Sequence, residues 1–224
     1  KLMSRHSKPT MHCAWSRLRE PIASEEQRER SRLQRRWGIA QARALLARPG
    51  VARPVLLFFL VTLAVTQMEA IFAIFMSDRY GFGAERAGIL LAIMGLVMAF
   101  VQGGLIGKVS RRIPEIQLVG GGTFFSAIAL GLFALAVSPL GILAALTLMA
   151  LSHGFVQPSL SSLASRGAPD EQRGATMGVF HSAGSLARVI GPPTAGWVYD
   201  RIGISSPFWL GAAVLLVASS TALW

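Results

Sequence analysis

The sequence predicts an all-α integral membrane protein with six transmembrane helices. Three observations carry that reading. The 224 residues are 52% hydrophobic with a mean hydropathy of +0.50, a composition that belongs to membrane proteins rather than soluble domains. Apolar segments near the roughly 20 residues that a spanning helix needs recur between short polar loops. Lysine and arginine gather in alternate loops, the pattern that sets membrane orientation.

The formal net charge of +11 is unevenly placed. Residues 1–53 hold thirteen Lys/Arg against four acids, and residues 54–224 hold nine against seven. Nucleic acid would attract such a tail. A basic segment beside a span is the simpler positive-inside signal, so no nucleic-acid partner is expected. Residues 1–37 show no sustained period and are expected to form a disordered loop. Ile39–Arg48 is amphipathic and is expected to lie as a short helix at the membrane surface. The lone cysteine, Cys13, excludes an internal disulfide. The apolar stretches begin past residue 50 without a cleavage pattern, so no signal peptide is expected.

The six spans follow in order. Arg53-Pro54 opens the first, 54–76. The polar loop Ser77–Arg86 separates it from the second, 87–107. The basic turn GKVSRRIPE leads to the third, 116–137, which ends at the tight turn Ser138-Pro139. The fourth covers 140–164, and SRGAPDEQRG leads to the fifth, 174–199. The sixth covers 205–224. The domain reading is thus a basic loop, 1–53, and a six-helix bundle, 54–224. Eighteen of the 22 Lys/Arg fall on the side of residues 1–53 and three on the other, with Arg188 between them. That side is expected to be cytoplasmic, with the chain in the cell (inner) membrane and the lipid bilayer as its surroundings.

Ionisable groups are costly in hydrocarbon and are functional candidates by default. The third and sixth spans have none. The first carries Gln67 and Glu69, the second Gln102, the fourth His153 and Gln157, the fifth His181 and Arg188. Four helices are therefore suited to lining a cavity. Thr62, Thr66 and Glu69 share one face of their helix, where Glu69 would exchange a proton or recognise a cation. Gln67 points the other way and would make a packing hydrogen bond. His153 and Gln157, one turn apart, would bond substrate or relay a proton. His181 is a weaker candidate of the same kind.

The fifth span is the centre of the reading. At 100° a residue, His181, Gly184, Arg188, Gly191 and Ala195 are expected on one stripe, where small residues admit a neighbouring backbone. Arg188 would cost roughly 2.5–3.5 kcal/mol in lipid, so it should face protein or water. There it would bind an anionic group or balance a proton-carrying acid. Pro192 and Pro193 remove two backbone donors, which a span tolerates where neighbours compensate.

These residues carry a resemblance. Gly178, Ala187, Gly191-Pro192 and Ala195-Gly196 keep the spacing of the antiporter motif of the major facilitator superfamily, with two of its glycines replaced by alanine. Here the motif resembles its pseudo-repeat copy on the eleventh helix. The family's loop signature, G-x-L-a-D-R-x-G-R-K, is matched by Gly103, Leu105, Lys108, Arg111 and Arg112, with Gly107 replacing its aspartate and Ser110 its second glycine. Pro169, Glu171 and Arg173-Gly174 resemble the entry to this helix in drug-efflux members. The stretch TQMEAIFAIFMSDRYGFGAERAGILLA is most similar to the tetracycline and multidrug proton-antiporter branch. The resemblance covers about residues 40–224.

The resemblance implies that the six spans are helices 7–12 of a twelve-helix transporter, with the substrate site between two halves. It implies a missing N-terminal six-helix half, in the same protein or a partner chain, and a fragment or a split gene. It implies proton-coupled efflux of a small molecule by alternating access, or else metabolite uptake or a non-transporting subunit. Gly178, Gly184, Gly191, Pro192 and Gly196 would be packing elements. An enzyme is not expected: G-x-S-x-G, H-E-x-x-H and other two-histidine metal motifs do not occur. No metal or cofactor is implied beyond a proton gradient as driving force.

Overall fold

Proline and glycine set the ends of the longest helix. In a computed structural model that describes residues 38–224, α1 runs from Pro49 to Tyr80 with a proline in its first turn, where the missing donor costs nothing. It stops at Gly81, whose φ of 66° is left-handed, and there the Gly81 and Phe82 N–H groups donate back to Ser77 and Met76 carbonyls at 2.9 and 3.1 Å. Only glycine takes that conformation without a Cβ penalty. The expected disordered loop 1–37, with Cys13, lies outside the described residues.

Gln41–Trp224 forms one compact unit. Its opening residues 41–46 are helical and bury Leu45. The other helices are α2 (Ala84–Phe100), α3 (Glu115–Leu135), α4 (Pro139–Arg166), α5 (Arg173–Ile202) and α6 (Ser206–Leu223). The described residues contain no strand. At 1.5 Å a residue, α1 is about 48 Å long, enough to cross a hydrocarbon core of about 30 Å with turns to spare. Five helices are long and apolar enough to span: α1, α2 with its extension to Val109, α3, α4 and α6. The fifth predicted span, α5, is long enough at 30 residues but falls short on composition, because histidine, arginine, serine and glycine dilute it.

The bundle is centred on α1, which packs against α4, α5 and α6, while α3 packs between α4 and α6. Phenylalanines fill the junction of α1, α3 and α6. Phe133 stacks on Phe208 at 5.6 Å and meets Phe72 edge-on, and Phe75 meets Phe208 edge-on at 4.7 Å. Polar ties fix the ends. Arg53 donates to the Thr221 and Ala222 carbonyls at the end of α6, where a cation also suits the helix dipole. Arg79 and Tyr80 both donate to the Ala136 carbonyl, at 3.1 and 2.7 Å. Ser138 caps α4 by accepting from the Gly141 N–H.

Helix α2 is the least buried. It continues through a π-helical turn, Val101–Leu105, into Ile106–Val109. Gly103, Leu105 and Lys108 of the loop signature are therefore helical, and only Arg111 and Arg112 stand on the turn. The extra residue of a π turn absorbs the double glycine, Gly103-Gly104, without breaking the helix.

Helix α5 lies on α1 through a stripe of Phe180, Gly184, Ala187, Gly191, Ala195 and Val198, all buried. Phe180 stacks on Phe58 at 3.9 Å. A Cβ on Gly184 would strike the Phe58 ring, and one on Gly191 would strike the Thr66 hydroxyl. The stripe differs from the expected one by its edge. His181 and Arg188 flank it and are exposed, because the buried line runs through Phe180 and Ala187 instead. Gly178 and Gly196 make no close approach, and Pro192 is exposed. Of the five nominated packing residues, Gly184 and Gly191 alone meet α1 closely.

That contact is testable. Gly191→Ala should destabilise the chain by about 1–3 kcal/mol, the usual cost of overpacking, measured by denaturant unfolding in mixed micelles. Thr66→Ala removes the obstructing hydroxyl, so the double variant should regain most of the loss. Strictly additive losses would mean that the two side chains do not oppose each other.

Candidate functional site

Three helices aim polar side chains into one cavity of about 460 Å³. From α1 come Thr62, Thr66 and Glu69, from α4 His153 and Gln157, and from α5 Arg188. Each follows from local spacing. Thr62, Thr66 and Glu69 recur at helical period on one face, as expected from the sequence. Thr66 turns its hydroxyl back to the Thr62 carbonyl at 2.8 Å, so it presents a methyl and a spent donor. His153 and Gln157 are four apart on α4 and point the same way. Arg188 stands beside the buried stripe of α5, so the packing of Gly184 and Gly191 on α1 sets where its side chain enters.

The other wall is apolar. Phe58 and Val65 of α1 and Leu91, Met94, Gly95 and Met98 of α2 complete the lining. Methionine is unbranched and polarizable, so it adapts to ligands of different shape. Polarity in the sequence marks only Gln102 on this span, not these four residues. Gln102 is exposed in the π-helical turn and does not line the cavity. The spacing 91, 94, 95, 98 is the i, i+3, i+4, i+7 stripe of one helix face. It was legible, but in an all-apolar helix it does not stand out.

The charges are arranged sparingly. Among the described residues Glu69 is the one carboxylate on the cavity wall and Arg188 the one guanidinium. They share the cavity without an N–O approach within 4.0 Å; among the described residues, ion pairs form only between Arg166 and Glu115 and between Arg173 and Asp170. His153 is buried, and its Nδ1 has no hydrogen-bond partner among the described residues. A buried polar atom left unpaired is costly, and this one is shielded from solvent.

The remaining candidates lie elsewhere. Gln67 is buried on the far face of α1 and donates to the Thr194 hydroxyl of α5 at 3.1 Å, a packing hydrogen bond. His181 is exposed, edge-on to Phe180 at 5.5 Å, and is not part of the cavity. Lys108, Arg111 and Arg112 line a separate surface recess. No cluster of three or more His, Cys, Asp or Glu side chains is placed to hold a metal among the described residues.

A family model described as the Major Facilitator Superfamily matches residues 12–192 and 168–224. The match begins well before residue 40, so it reaches into the basic segment, beyond the 40–224 that the motifs cover. Among curated proteins, the class C tetracycline resistance protein of Escherichia coli is 29% identical over 170 residues, covering 75% of this chain and 42% of that protein. Human major facilitator superfamily domain-containing protein 10 is 27% identical over 175 residues, covering 71% and 35%. Among solved structures, the crystal structure of the human organic anion transporter MFSD10 (TETRAN) superposes with a TM-score of 0.70 at 26% identity, covering 77% of this chain and 40% of that one. The POT family transporter PepTSo, at 13% identity, shares the fold with a TM-score of 0.68. The chain thus spans less than half the length of these relatives.

Proposed function

The chain belongs to the Major Facilitator Superfamily, and on that premise we propose that it forms one wall of a pathway for proton-coupled efflux of small amphipathic compounds. The observation that supports this is the convergence of Glu69, His153, Gln157 and Arg188 on one cavity with a methionine-rich wall. Such a cavity suits a molecule with one polar end and one apolar body. Arg188 would hold an anionic group of the substrate, since a guanidinium offers a planar fork to carboxylate or phosphate. Glu69 would carry the exchanged proton. His153 and Gln157 would complete the polar contacts. The MFSD10 structure is that of an organic anion transporter, in keeping with a cationic substrate contact.

Transport needs a second wall. The relatives are covered to 42% and 35% of their lengths, in line with a partner half in the same protein or another chain. Alternating access would then come from one half rocking against the other around the cavity. The test is flux of a fluorescent amphipathic anion in proteoliposomes under an imposed pH gradient. The chain joined to an N-terminal six-helix half should drive it, and the chain alone should not. PH-independent flux from the joined protein would sink the proton-coupled reading.

The proposed orientation puts the segment 1–53 in the cytoplasm. On a Cys13→Ser background, cysteines placed in Ser77–Arg86 should react with an impermeant maleimide from outside. Cysteines placed in 107–115 should stay unlabelled in intact cells, and the reverse pattern would invert the topology.

A further inference from the structure

The junction of α2 and α3, from the helical end at Lys108 through the turn to the first residue of α3, carries three cations and one acid: Lys108, Arg111, Arg112 and Glu115. The acid is already committed. Glu115 accepts from the Ser162 hydroxyl at 2.8 Å and pairs with Arg166 at 3.3 Å, both on α4. None of the three cations pairs with an acid among the described residues. They line a surface recess of about 620 Å³ together with Val109 and Ile113. Arg111 is tied to the end of α2, its Nε donating to the Gly107 carbonyl at 2.9 Å.

Ile113 also lines a second recess, an apolar groove of about 390 Å³ between α3 and α4. Gly121 and Phe125 form one side, Leu148, Leu151 and Phe155 the other. Gly121 keeps the groove open, for a Cβ there would meet nothing. On α4, the groove residues lie on the side opposite His153 and Gln157 at 100° a residue, so the groove faces away from the cavity. Phe124, Phe125 and Ile128 of α3 are large, apolar and exposed, as a lipid-facing surface requires. Along α3 the groove residues Gln117 to Phe125 span about 12 Å, most of the ~15 Å depth of one hydrocarbon leaflet.

We propose that this basic recess and the apolar groove it opens into, joined at Ile113, bind one anionic phospholipid. The phosphate would sit among Lys108, Arg111 and Arg112, and one acyl chain would lie along Gly121 between α3 and α4. The three cations, which pair with no acid among the described residues, select an anionic headgroup over a zwitterionic one, and the groove selects a lipid over a free phosphate. The site is independent of the transport cavity and of whatever crosses it.

Native mass spectrometry of the full chain in micelles tests this with phosphatidylglycerol and phosphatidylcholine of identical acyl chains. Phosphatidylglycerol should bind at least tenfold more tightly, since each headgroup-facing cation contributes about fivefold. Replacing Lys108, Arg111 and Arg112 together by Gln should abolish that preference while leaving helicity unchanged. Gly121→Leu should weaken both lipids several-fold and about equally. An excess of glycerol phosphate should not displace the bound lipid. Preference that survives the triple substitution, undiminished binding to Gly121→Leu, or displacement by glycerol phosphate would each overturn the proposal.

Discussion

Glu69→Gln should abolish pH-driven accumulation of substrate by the completed transporter, a loss of tenfold or more, while leaving downhill exchange in place. Glutamine keeps the shape and much of the hydrogen bonding of the carboxylic acid but cannot titrate. Glu69 is the one carboxylate on the cavity wall among the described residues, so no second carboxylate is placed to take over its proton. A single carboxylate in such a cavity can take up a proton on one side of the membrane and release it on the other, which is what coupling to a pH gradient requires. The measurement is flux against an imposed pH gradient, alongside binding at fixed pH. If Glu69 instead recognises a cation, the glutamine variant should lose affinity for cationic compounds and keep it for neutral analogues. Unchanged pH dependence with normal affinities would remove Glu69 from the mechanism and leave His153 as the next candidate.

The membrane fold was legible because the bilayer enforces it. A span must satisfy its own backbone, so long apolar runs bounded by prolines, glycines and charged turns have few alternatives to helix. The cavity was half legible for a related reason. Glu69, His153, Gln157 and Arg188 stand out in the sequence because charge and polarity are rare in hydrocarbon. Their convergence needs the packing of α4 and α5 on α1, which no spacing within one helix specifies. The same limit explains Gln102, equally polar but turned out of the cavity where α2 loosens into a π turn. It also explains the stripe on α5. Periodicity places Gly184 and Gly191 together, but whether Arg188 or Ala187 lies under the neighbouring helix depends on about 100° of rotation. Arginine cannot fit where Ala187 is fully buried, and so it comes to stand at the edge.

Arg188→Met should cut flux of anionic amphiphiles at least tenfold, a loss of about 1.4 kcal/mol or more, while neutral analogues change by less than about threefold. Arg188 makes no ion pair with any described residue and lines the cavity beside Thr66 and Glu69. No salt bridge among the described residues already engages that guanidinium. An incoming carboxylate or phosphate would engage it. Charge-assisted hydrogen bonds are the stronger kind, and the guanidinium fork can make two at once. Arg188→Lys keeps the charge but loses the fork, so its flux of anions should fall between the parent and the methionine variant. Pairing Arg188→Met with Glu69→Gln separates the two roles: the double variant should lose anion selectivity and pH coupling together, each as in its single parent. If Arg188 only tied α5 to its neighbours, thermal stability would drop in the methionine variant and all substrates would suffer alike. Equal losses for anionic and neutral compounds would therefore assign Arg188 to packing and leave substrate recognition to His153 and Gln157.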